Sequence, residues 1–256
     1  MIEFNSCDHV LKNLKIILME PETPGNIGAS ARAMQCMGLH RLRLVNPKRY
    51  PSREASARAV GATEILDRVQ LYSCLRDAIA DCDWVFGTSG QIESLHLPKY
   101  SPRDAAEEVV KHAQRYRSPA VIFGRESRGL TLEELSLCHA IIRIPTSPMA
   151  TSLNLGSAVQ IICYELWTAH MSRAPSTPTE EMMGHQEALA SAGQRDHLLT
   201  LIETLAIELG ALDPENPRQM MKRLRMLFSR EQATQSELSL LQSILKRALK
   251  AAQSRS

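Results

Sequence analysis

The stretch AIIRIPTSPMATSLNLGSAVQIICYEL, residues 140–166, contains the local patterns from which the fold follows. Residues 140–144 are a short apolar run rich in β-branched side chains, which predicts a buried strand. Residues 145–152 form a polar loop with two prolines, which neither extends that strand nor enters a helix. From Asn154 onward apolar residues recur at helical spacing, with Ser152 or Asn154 available as the N-cap. The pattern offers a place for a polar ligand, and it is also typical of an ordinary strand-to-helix connection.

The same pattern recurs along the chain and predicts an α/β fold. Further strands are predicted at residues 14–19, 42–46, 69–72, 83–87 and 120–124. Helices are predicted between them, which implies a parallel sheet covered on both faces, whereas residues 91–102 are predicted to be irregular. Polar loops follow four of the strands, at residues 20–30, 87–92, 124–129 and 145–154. Ligands in open parallel sheets bind beyond the carboxyl ends of the strands, so these loops are the expected site.

Capping residues locate the ends of several predicted helices. Asn26 can cap the helix that follows the first strand. Thr131 and Glu134 have the spacing of a capping box at the start of a short helix. Residues 185–209 are interpreted as one helix that ends at Gly210.

Length and charge predict two parts with different surfaces. The 256 residues are enough for one large α/β domain and a smaller piece. The predicted division is an α/β domain at 1–170, a Pro/Ser/Thr-rich linker at 171–184 and a helical extension at 185–256. The net charge is only +2, but residues 216–256 hold nine Lys or Arg and two acidic residues. A basic tail on a slightly acidic body suggests an acidic partner that binds at one end.

Several classes of protein are excluded by what the sequence lacks. The six cysteines show no ligand spacing with one another or with histidine, so we expect no metal and interpret them as reduced core thiols. No signal peptide and no apolar run of membrane-spanning length is present, which predicts a soluble, cytoplasmic protein without a membrane partner. GRESRG is not followed by the Lys-Ser/Thr of a P-loop, and the chain contains no GxGxxG for a dinucleotide.

Three separate motifs carry a resemblance to a known family. PGNIGASARAM (24–34), FGRESRGL (123–130) and TSLNLGSAVQIICYE (151–165) resemble the three motifs of the SPOUT-class RNA 2′-O-methyltransferases. RQMMKRLRMLFSR followed by SELSLLQSIL resembles the C-terminal extension of the TrmJ-type branch of that family. That branch methylates the 2′-hydroxyl of cytidine or uridine at tRNA position 32.

The resemblance implies a fold, a cofactor and partners. The family has a parallel sheet with a C-terminal trefoil knot, expected here near residues 124–166, and the bend of the knot holds S-adenosylmethionine. It works as a homodimer on RNA, here tRNA, with the RNA site between the subunits. The residues that the resemblance assigns to cofactor binding are Thr88, Ser89, Gly90, Gly124, Arg125, Gly129, Ile144, Ser152 and Leu153.

The resemblance also assigns the catalytic residues. Arg32, from the opposite subunit, would contact the RNA and stabilise the alkoxide that forms on the ribose, since arginine seldom loses its proton. Asn26, Glu126, Ser152 and Asn154 would orient Arg32 and the ribose, and Glu126 could equally be an ion-pair partner that fixes the arginine. In the extension, the basic residues expected to contact RNA phosphates are Lys222, Arg223, Arg225 and Arg230.

One loop departs from the family and two alternatives stay open. The loop after GTS often carries arginines in the family, but it reads GQIESLHLPK here, with Gln91 and Glu93; Lys99 or the C-terminal tail would then substitute in phosphate contact. The first alternative is an rRNA 2′-O-methyltransferase, which more often carries an N-terminal RNA-binding domain. The second is a non-catalytic RNA-binding protein that keeps the fold, which the intact polar motif residues disfavour.

Overall fold

A parallel sheet lies at the centre of the protein, in a computed structural model that describes residues 8–90, 96–111, 118–149, 152–172, 188–213, 218–230 and 233–253. Its strands are β1 (Lys15–Met19), β2 (Arg41–Val45), β3 (Gln70–Tyr72), β4 (Trp84–Thr88), β5 (Lys99–Tyr100), β6 (Pro119–Phe123) and β7 (Ala140–Ile142). Within the described chain, seven strands lie in the order β3-β2-β1-β6-β4-β7-β5, and every neighbouring pair is parallel. The predicted parallel α/β architecture is confirmed.

Helices connect the strands and cover both faces of the sheet. They are α1 (Asp8–Asn13), α2 (Pro24–Cys36), α3 (Arg53–Arg58), α4 (Thr63–Asp67), α5 (Leu75–Ile79), α6 (Pro102–Lys111), α7 (Leu132–Leu135) and α8 (Leu155–Ser172). Three more follow in the C-terminal part: α9 (Ala192–Glu208), α10 (Arg218–Arg230) and α11 (Gln235–Gln253). Crossovers between parallel strands require such helices, which explains why apolar runs alternate with amphipathic segments in the sequence.

Alternate side chains of each strand enter two different cores. Ile16 and Leu18 of β1 pack on one face, in a cluster that also contains residues of α2, α3, α4, α6 and α8. Ile17 and Met19 pack on the other face, in a cluster with residues of α5 and α7. All five β1 residues are buried, as expected for a central strand of a sheet that is covered on both faces.

The sheet order brings the four polar loops together. β1, β6, β4 and β7 are consecutive in the sheet, and the loops that follow them begin at Glu20, Gly124, Ser89 and Arg143. The carboxyl ends of parallel strands meet at one edge, so these loops form one continuous surface. The predicted meeting of the four loops at one edge is confirmed, and their use as a ligand site stays a prediction.

Three local predictions are corrected by the structure. Asn26 is not a helix cap, because α2 begins at Pro24 with Thr23 at the cap position. Residues 91–102 are not irregular throughout, because β5 pairs with β7 at the edge of the sheet; residues 91–95, with Gln91 and Glu93, lie outside the described residues. The predicted helix over 185–209 starts only at Ala192. Ser191 and Gln194 form a capping box there, a signal that the sequence carries.

The three C-terminal helices pack on one another and on the α/β part. Leu198 of α9 and Leu238 of α11 share a small apolar cluster, and Leu199 packs with Met221 of α10 in another. The first turn of α9 contacts the turn before β4, where the backbone N–H groups of Ala192 and Gly193 donate to carbonyls at 2.7 and 3.0 Å. The acceptors are Cys82 and Ala80.

Asp196 adds an ionic contact across the same interface. Its carboxylate binds Arg76 of α5, and it also accepts a hydrogen bond from Arg225 of α10 at 2.9 Å. Burial raises the pKa of Asp196, but the hydrogen bond from Arg225 and the charge of Arg76 outweigh it, and the net shift is downward. The helical extension is therefore attached to the α/β part by both backbone and side-chain contacts.

The cysteines that the structure describes form no disulfides. Cys82, Cys138 and Cys163 are buried, as the interpretation of core thiols requires, whereas Cys36 is exposed and Cys74 is half-buried. Burial raises the pKa of Cys82 and of Cys163 to about 12, so both thiols stay protonated at neutral pH. Among the described helices, none combines the length and apolar character that crossing a bilayer requires.

Candidate active site

A tight hairpin follows β6 and brings Glu126 to the carboxyl edge of the sheet. Its ends are joined by two backbone hydrogen bonds, from Arg125 to Gly129 at 3.2 Å and from Gly129 to Arg125 at 2.9 Å. Gly129 has a φ of +67°, which favours glycine. A Cβ on Gly124 would lie 2.1 Å from the Gly129 carbonyl carbon, so glycine is required there by space. The two glycines of FGRESRGL thus shape the loop itself.

Arg125, at the base of this hairpin, binds two carboxylates. Its guanidinium forms a bidentate pair with Glu134 at 2.9 and 2.9 Å, and its Nε donates to Glu20 at 2.7 Å. The Arg125 side chain is only 5% exposed. Hydrogen bonds to Glu20 and Glu134 raise the pKa of Arg125 above its ordinary value. The resemblance assigns the backbone of this loop to cofactor binding, which stays a prediction; the Arg125 side chain joins the end of β1, the hairpin and the start of α7.

Glu126 binds the N-terminus of α2 instead of a charged side chain. One carboxylate oxygen accepts the backbone N–H of Glu22 at 2.8 Å. The other accepts the backbone N–H of Thr23 at 3.0 Å and the side-chain amide of Asn26 at 2.9 Å. A carboxylate at a helix N-terminus satisfies unpaired donors and is favoured by the helix dipole. Arg32 makes no ion pair with Glu126, so within one chain the structure does not support Glu126 as the ion-pair partner of Arg32.

Asn26 and Asn154 extend this network to the third motif. The Asn154 side-chain Nδ2 donates to the Asn26 side-chain Oδ1 at 2.9 Å. The Asn154 side-chain Oδ1 accepts the backbone N–H of Gly156 at 3.0 Å, which identifies Asn154 as the cap of α8. A Cβ on Gly156 would lie 2.9 Å from the Ala29 Cβ, so glycine permits the close approach of α2 and α8. A hydrogen-bonded chain from Glu126 through Asn26 to Asn154 therefore joins all three motifs.

Arg32 lies on α2, six residues beyond Asn26, and its side chain is exposed. Six residues of an α-helix span about 9 Å, so Arg32 stands apart from the hydrogen-bonded network. With the residues that the structure describes, Arg32 forms neither a salt bridge nor a side-chain hydrogen bond. A cation without a counter-ion at the edge of a polar site is available to an anionic group of a substrate.

The loops predicted to hold the cofactor differ in what they offer. The Thr88 hydroxyl donates to the Ile122 carbonyl at 3.0 Å, and the Ser89 backbone N–H donates to the Ile142 carbonyl at 3.1 Å. Both contacts tie the end of β4 to its neighbours in the sheet. Gly90 and Ser152 are exposed, Ile144 is half-buried and Leu153 is 38% exposed. Ala150 and Thr151 lie outside the described residues.

The chemistry of these loops fits an S-adenosylmethionine molecule. An adenosine needs apolar surface for its base and backbone groups for its polar edge. Ile144 and Leu153, beyond the end of β7, provide partly exposed apolar surface, and Thr88 and Ser89 at the end of β4 provide polar groups. In the part of the chain that the structure describes, no group of three or more His, Cys, Asp or Glu side chains is arranged to hold a metal ion.

Sequence reasoning missed two carboxylates that support the site. Glu20 directly follows β1 and has a φ of +44°, and its carboxylate accepts a hydrogen bond from Arg125. Glu22 accepts the Ser127 hydroxyl at 2.8 Å and pairs with Lys48 at 3.1 Å, contacts that lower its pKa. The signal was present, because EPET places acidic residues directly after a buried strand. Their partners lie too far away in sequence for local patterns to identify.

The basic residues predicted to bind RNA in α10 do not form one set. Lys222 and Arg223 are exposed, as a phosphate contact requires. The Arg225 side chain is only 19% exposed and binds Asp196, so its visible role is to hold α10 on α9. Of the Arg230 side chain nothing is described.

Comparison with protein families connects this site to a known class. Residues 13–164, more than half of the chain, match the model of the SpoU rRNA Methylase family. Residues 196–256 match the model of the tRNA methyltransferase TrmJ C-terminal domain. The chain belongs to the SpoU methylase family, in its TrmJ branch.

Individual relatives agree with this placement over nearly the whole chain. A tRNA (cytidine/uridine/adenosine-2′-O-)-methyltransferase TrmJ of Pseudomonas aeruginosa is 38% identical over 248 residues, which cover 95% of this chain and 96% of the relative. A tRNA (cytidine/uridine-2′-O-)-methyltransferase TrmJ of Photorhabdus laumondii is 38% identical over 92% of this chain and 96% of its own length. The crystal structure of TrmJ from Z. mobilis ZM4 superposes on this chain with a TM-score of 0.78 at 27% identity. The match covers 91% of this chain and 97% of that one.

Proposed function

We propose that this protein transfers a methyl group from S-adenosylmethionine to a ribose 2′-hydroxyl of tRNA. The observation that carries the proposal is the hydrogen-bonded chain Glu126–Asn26–Asn154, which unites the three methylase motifs beside an exposed arginine. The curated relatives that match over more than nine-tenths of the chain are tRNA 2′-O-methyltransferases by name. From the resemblance of the extension, we further propose cytidine or uridine at position 32 as the target.

When bound, S-adenosylmethionine supplies a sulfonium methyl group that an oxygen nucleophile attacks in line. The residues proposed to hold it are the loop residues at the ends of β4 and β7, with the hairpin that follows β6. Ile144 and Leu153 would cover the apolar part of the ligand, and Thr88 to Gly90 would approach its polar edge.

The chain's own residues would act on the ribose rather than on the methyl group. A 2′-hydroxyl is a weak nucleophile, and negative charge develops on its oxygen as its proton passes to water. Arg32 keeps its proton and stabilises that charge, an interaction that is strongest in the transition state. Asn26 and Asn154 hold the starts of α2 and α8 together, and Glu126 fixes the entry to α2, so that the two helices present a constant geometry to the ribose.

The trefoil knot, the homodimer and the three-part division of the chain are part of this proposal. A homodimer is supported by the position of Arg32, which stands outside the network of its own chain and is available to a site on a second copy. The division into 1–170, 171–184 and 185–256 is supported by the separate matches to two family models. Residues 173–187, which contain most of the proposed linker, lie outside the described residues.

The purified protein is expected to bind S-adenosylmethionine and to methylate tRNA without any metal ion. Calorimetry measures the binding, and transfer of a labelled methyl group to tRNA, followed by nuclease digestion, identifies the methylated nucleotide. A chelator in the assay should leave the rate unchanged, because the described residues offer no metal cluster. The absence of S-adenosylmethionine binding, or loss of activity with chelator, would contradict the proposal.

Mixed dimers test whether the active site is shared between subunits. Arg32→Ala and Asn154→Ala proteins are each expected to be inactive, since one loses the stabilising charge and the other loses the contact between α2 and α8. After random subunit exchange, the mixture should recover about a quarter of wild-type activity, because half of the dimers are heterodimers and one of the two sites in each is intact. Native mass spectrometry confirms that heterodimers have formed. Heterodimers without recovered activity would favour a site built within one chain.

A further inference from the structure

A group of exposed basic side chains follows β2 and lies beside the candidate active site. Lys48, Arg49, Arg53 and Arg58 carry four positive charges, and residues 48–58 contain a single acidic residue, Glu54. All four basic side chains are exposed. We refer to these four residues as the β2–α3 basic surface. They lie in the α/β part of the chain, outside the C-terminal extension to which sequence analysis assigned RNA contact.

The backbone that carries this surface is held in place at three points. The Lys48 backbone N–H donates to the Pro21 carbonyl at 3.2 Å, and the Tyr50 hydroxyl donates to the Leu66 carbonyl at 2.6 Å. The Ser52 hydroxyl oxygen then caps α3 by accepting a hydrogen bond from the backbone N–H of Glu54 at 3.2 Å. Side chains on a fixed backbone lose less conformational entropy when they bind, so the segment is suited to ligand contact.

Arg58 places this surface against the first turns of α2. A Cβ on Gly28 would lie 2.1 Å from the Ala55 carbonyl oxygen and 2.9 Å from the Arg58 Cβ. A Cβ on Gly25 would lie 3.7 Å from the Arg58 Cγ. The stem of Arg58 therefore crosses α2 at the residue next to Asn26. The glycines allow an approach that any larger residue would prevent.

Lys48 touches the same site from the β1 side. Its ammonium group lies 3.1 Å from the Glu22 carboxylate, and the Glu22 backbone N–H donates to Glu126. Lys48 is 59% exposed despite this contact, which leaves part of its ammonium open to a second anion. The basic surface thus borders the Glu126–Asn26–Asn154 network along α2.

The arginines of this region have no carboxylate partner that the structure describes. Arg49, Arg53 and Arg58 form no salt bridge with the described residues, and neither does Arg32. Arg32 is four residues beyond Gly28 on α2, the helix against which α3 packs at Gly28. Like charges placed together are unfavourable until a polyanion neutralises them.

We propose that the β2–α3 basic surface binds phosphates of the substrate RNA next to the reacting nucleotide. This inference rests on the proposed function, and it adds a second RNA contact to that of the C-terminal helices. Guanidinium groups match phosphate oxygens in bidentate geometry, and three arginines on an ordered segment suit a backbone with regularly spaced phosphates. The tRNA would then contact both the α/β body and the extension.

Neutralisation of this surface tests the proposal against a control with the same change in charge. The test variant carries Arg49→Gln, Arg53→Gln and Arg58→Gln, and glutamine keeps part of the apolar stem over Gly28. The control carries Lys12→Gln, Arg41→Gln and Lys111→Gln, exposed cations that precede β1, begin β2 and end α6. Lys12 and Arg41 mark the amino edge of the sheet, opposite the site. For both variants, tRNA affinity is measured at several salt concentrations and S-adenosylmethionine affinity is measured by calorimetry.

The test variant is expected to bind tRNA at least about tenfold more weakly near physiological salt. The slope of log affinity against log salt concentration should be less steep than that of the wild type by about 2 to 3, since each phosphate contact adds about 0.7 to 0.9 to the magnitude of this slope. Its S-adenosylmethionine affinity should stay within about twofold of wild type, which also shows that it is folded. The control should change tRNA affinity by no more than about twofold.

Equal affinity of the test and control variants for tRNA would overturn the proposed surface. If the test variant fails to fold, Arg53→Gln alone, at an exposed helix position, replaces it, with an expected loss of about threefold and a slope shallower by about one. An unchanged slope in that variant would overturn the proposal as well. Failure of the wild-type protein to methylate tRNA would instead contradict the proposed function, and the wild-type sample alone distinguishes the two results.

Discussion

Replacement of Arg32 by alanine is expected to lower the rate of methyl transfer by about 10²- to 10³-fold, the usual cost of losing one group that stabilises transition-state charge. Affinity for S-adenosylmethionine should stay within about twofold, because Arg32 lies outside the cofactor loops and is exposed. An interaction made mainly in the transition state lowers kcat and kcat/KM together. Single-turnover transfer to saturating tRNA measures the rate of methyl transfer, and calorimetry measures the affinity for S-adenosylmethionine.

Two further variants show whether charge or shape is responsible. Arg32→Lys keeps the positive charge but loses the planar donor fork, so it should recover part of the lost rate. Arg41→Ala removes an arginine from the amino end of β2 and should leave the rate unchanged within about twofold. Near wild-type turnover in Arg32→Ala would remove this residue from the mechanism.

Replacement of Arg125 by methionine is expected to destabilise the protein by up to about 3 to 5 kcal/mol, since it leaves two half-buried carboxylates, Glu20 and Glu134, without their buried cation. The side chains of Arg125 and Glu134 are only 5% and 12% exposed. For a protein of this size, that loss corresponds to a fall in Tm of roughly 6 to 20 °C. Calorimetry or denaturant unfolding measures the change.

Arg128 provides the matched control for this prediction. It is 65% exposed and lies 3.8 Å from the Glu20 carboxylate, so Arg128→Met should cost no more than about 1 kcal/mol. The double variant Arg125→Met with Glu134→Gln should recover part of the loss, because it removes one unpaired carboxylate. Equal stability of the Arg125 and Arg128 single variants would show that the buried ion pair does not stabilise the hairpin.

The same ion pair predicts how stability depends on pH. Hydrogen bonding to Arg125 lowers the pKa of Glu20 below its ordinary 4.5. Burial raises the pKa of Glu134, but hydrogen bonds from Arg125 and the Thr131 backbone outweigh it, and the net shift is also downward. A lowered folded-state pKa gives stability that is present above pH 4.5 and is lost as the pH falls from there. The Arg125→Met variant should therefore lose less stability over this acidic range than the wild type.

Much of the fold could be predicted from local patterns, whereas the contacts within the site could not. Apolar runs, prolines and caps located β1, β2, β4, β6 and the start of α8, because those features depend on neighbouring residues. Asn26 was interpreted as a cap because its partners, Glu126 and Asn154, are 100 and 128 positions away in sequence. Nothing local distinguishes an amide that caps its own helix from one that bonds to a distant loop.

Arg125 shows the same limit for a charged residue. The motif FGRESRGL placed its backbone in a cofactor loop, but it gave no sign that two carboxylates from different elements bind its guanidinium. Glu134 was identified correctly as part of a capping box, and its second role became visible only with the fold. The short strand β5 was missed because its two residues gain their strand pairing from β7 rather than from their own sequence. The knot, the dimer and the target nucleotide remain predictions.

The attachment of α9 to the turn before β4 limits how the protein could be recombined with its relatives. A Cβ on Gly193 would lie 2.9 Å from the Ala80 carbonyl oxygen, so the first turn of α9 accepts only glycine at that position. Asp196, in the next turn, is matched to Arg76 of the α/β part. A chimaera that received the C-terminal helices of another member of the family would therefore need glycine and aspartate at these two positions, and a turn that presents the same two carbonyl groups. If the C-terminal helices were exchanged without these matching residues, the contacts between α9 and the α/β part would be lost.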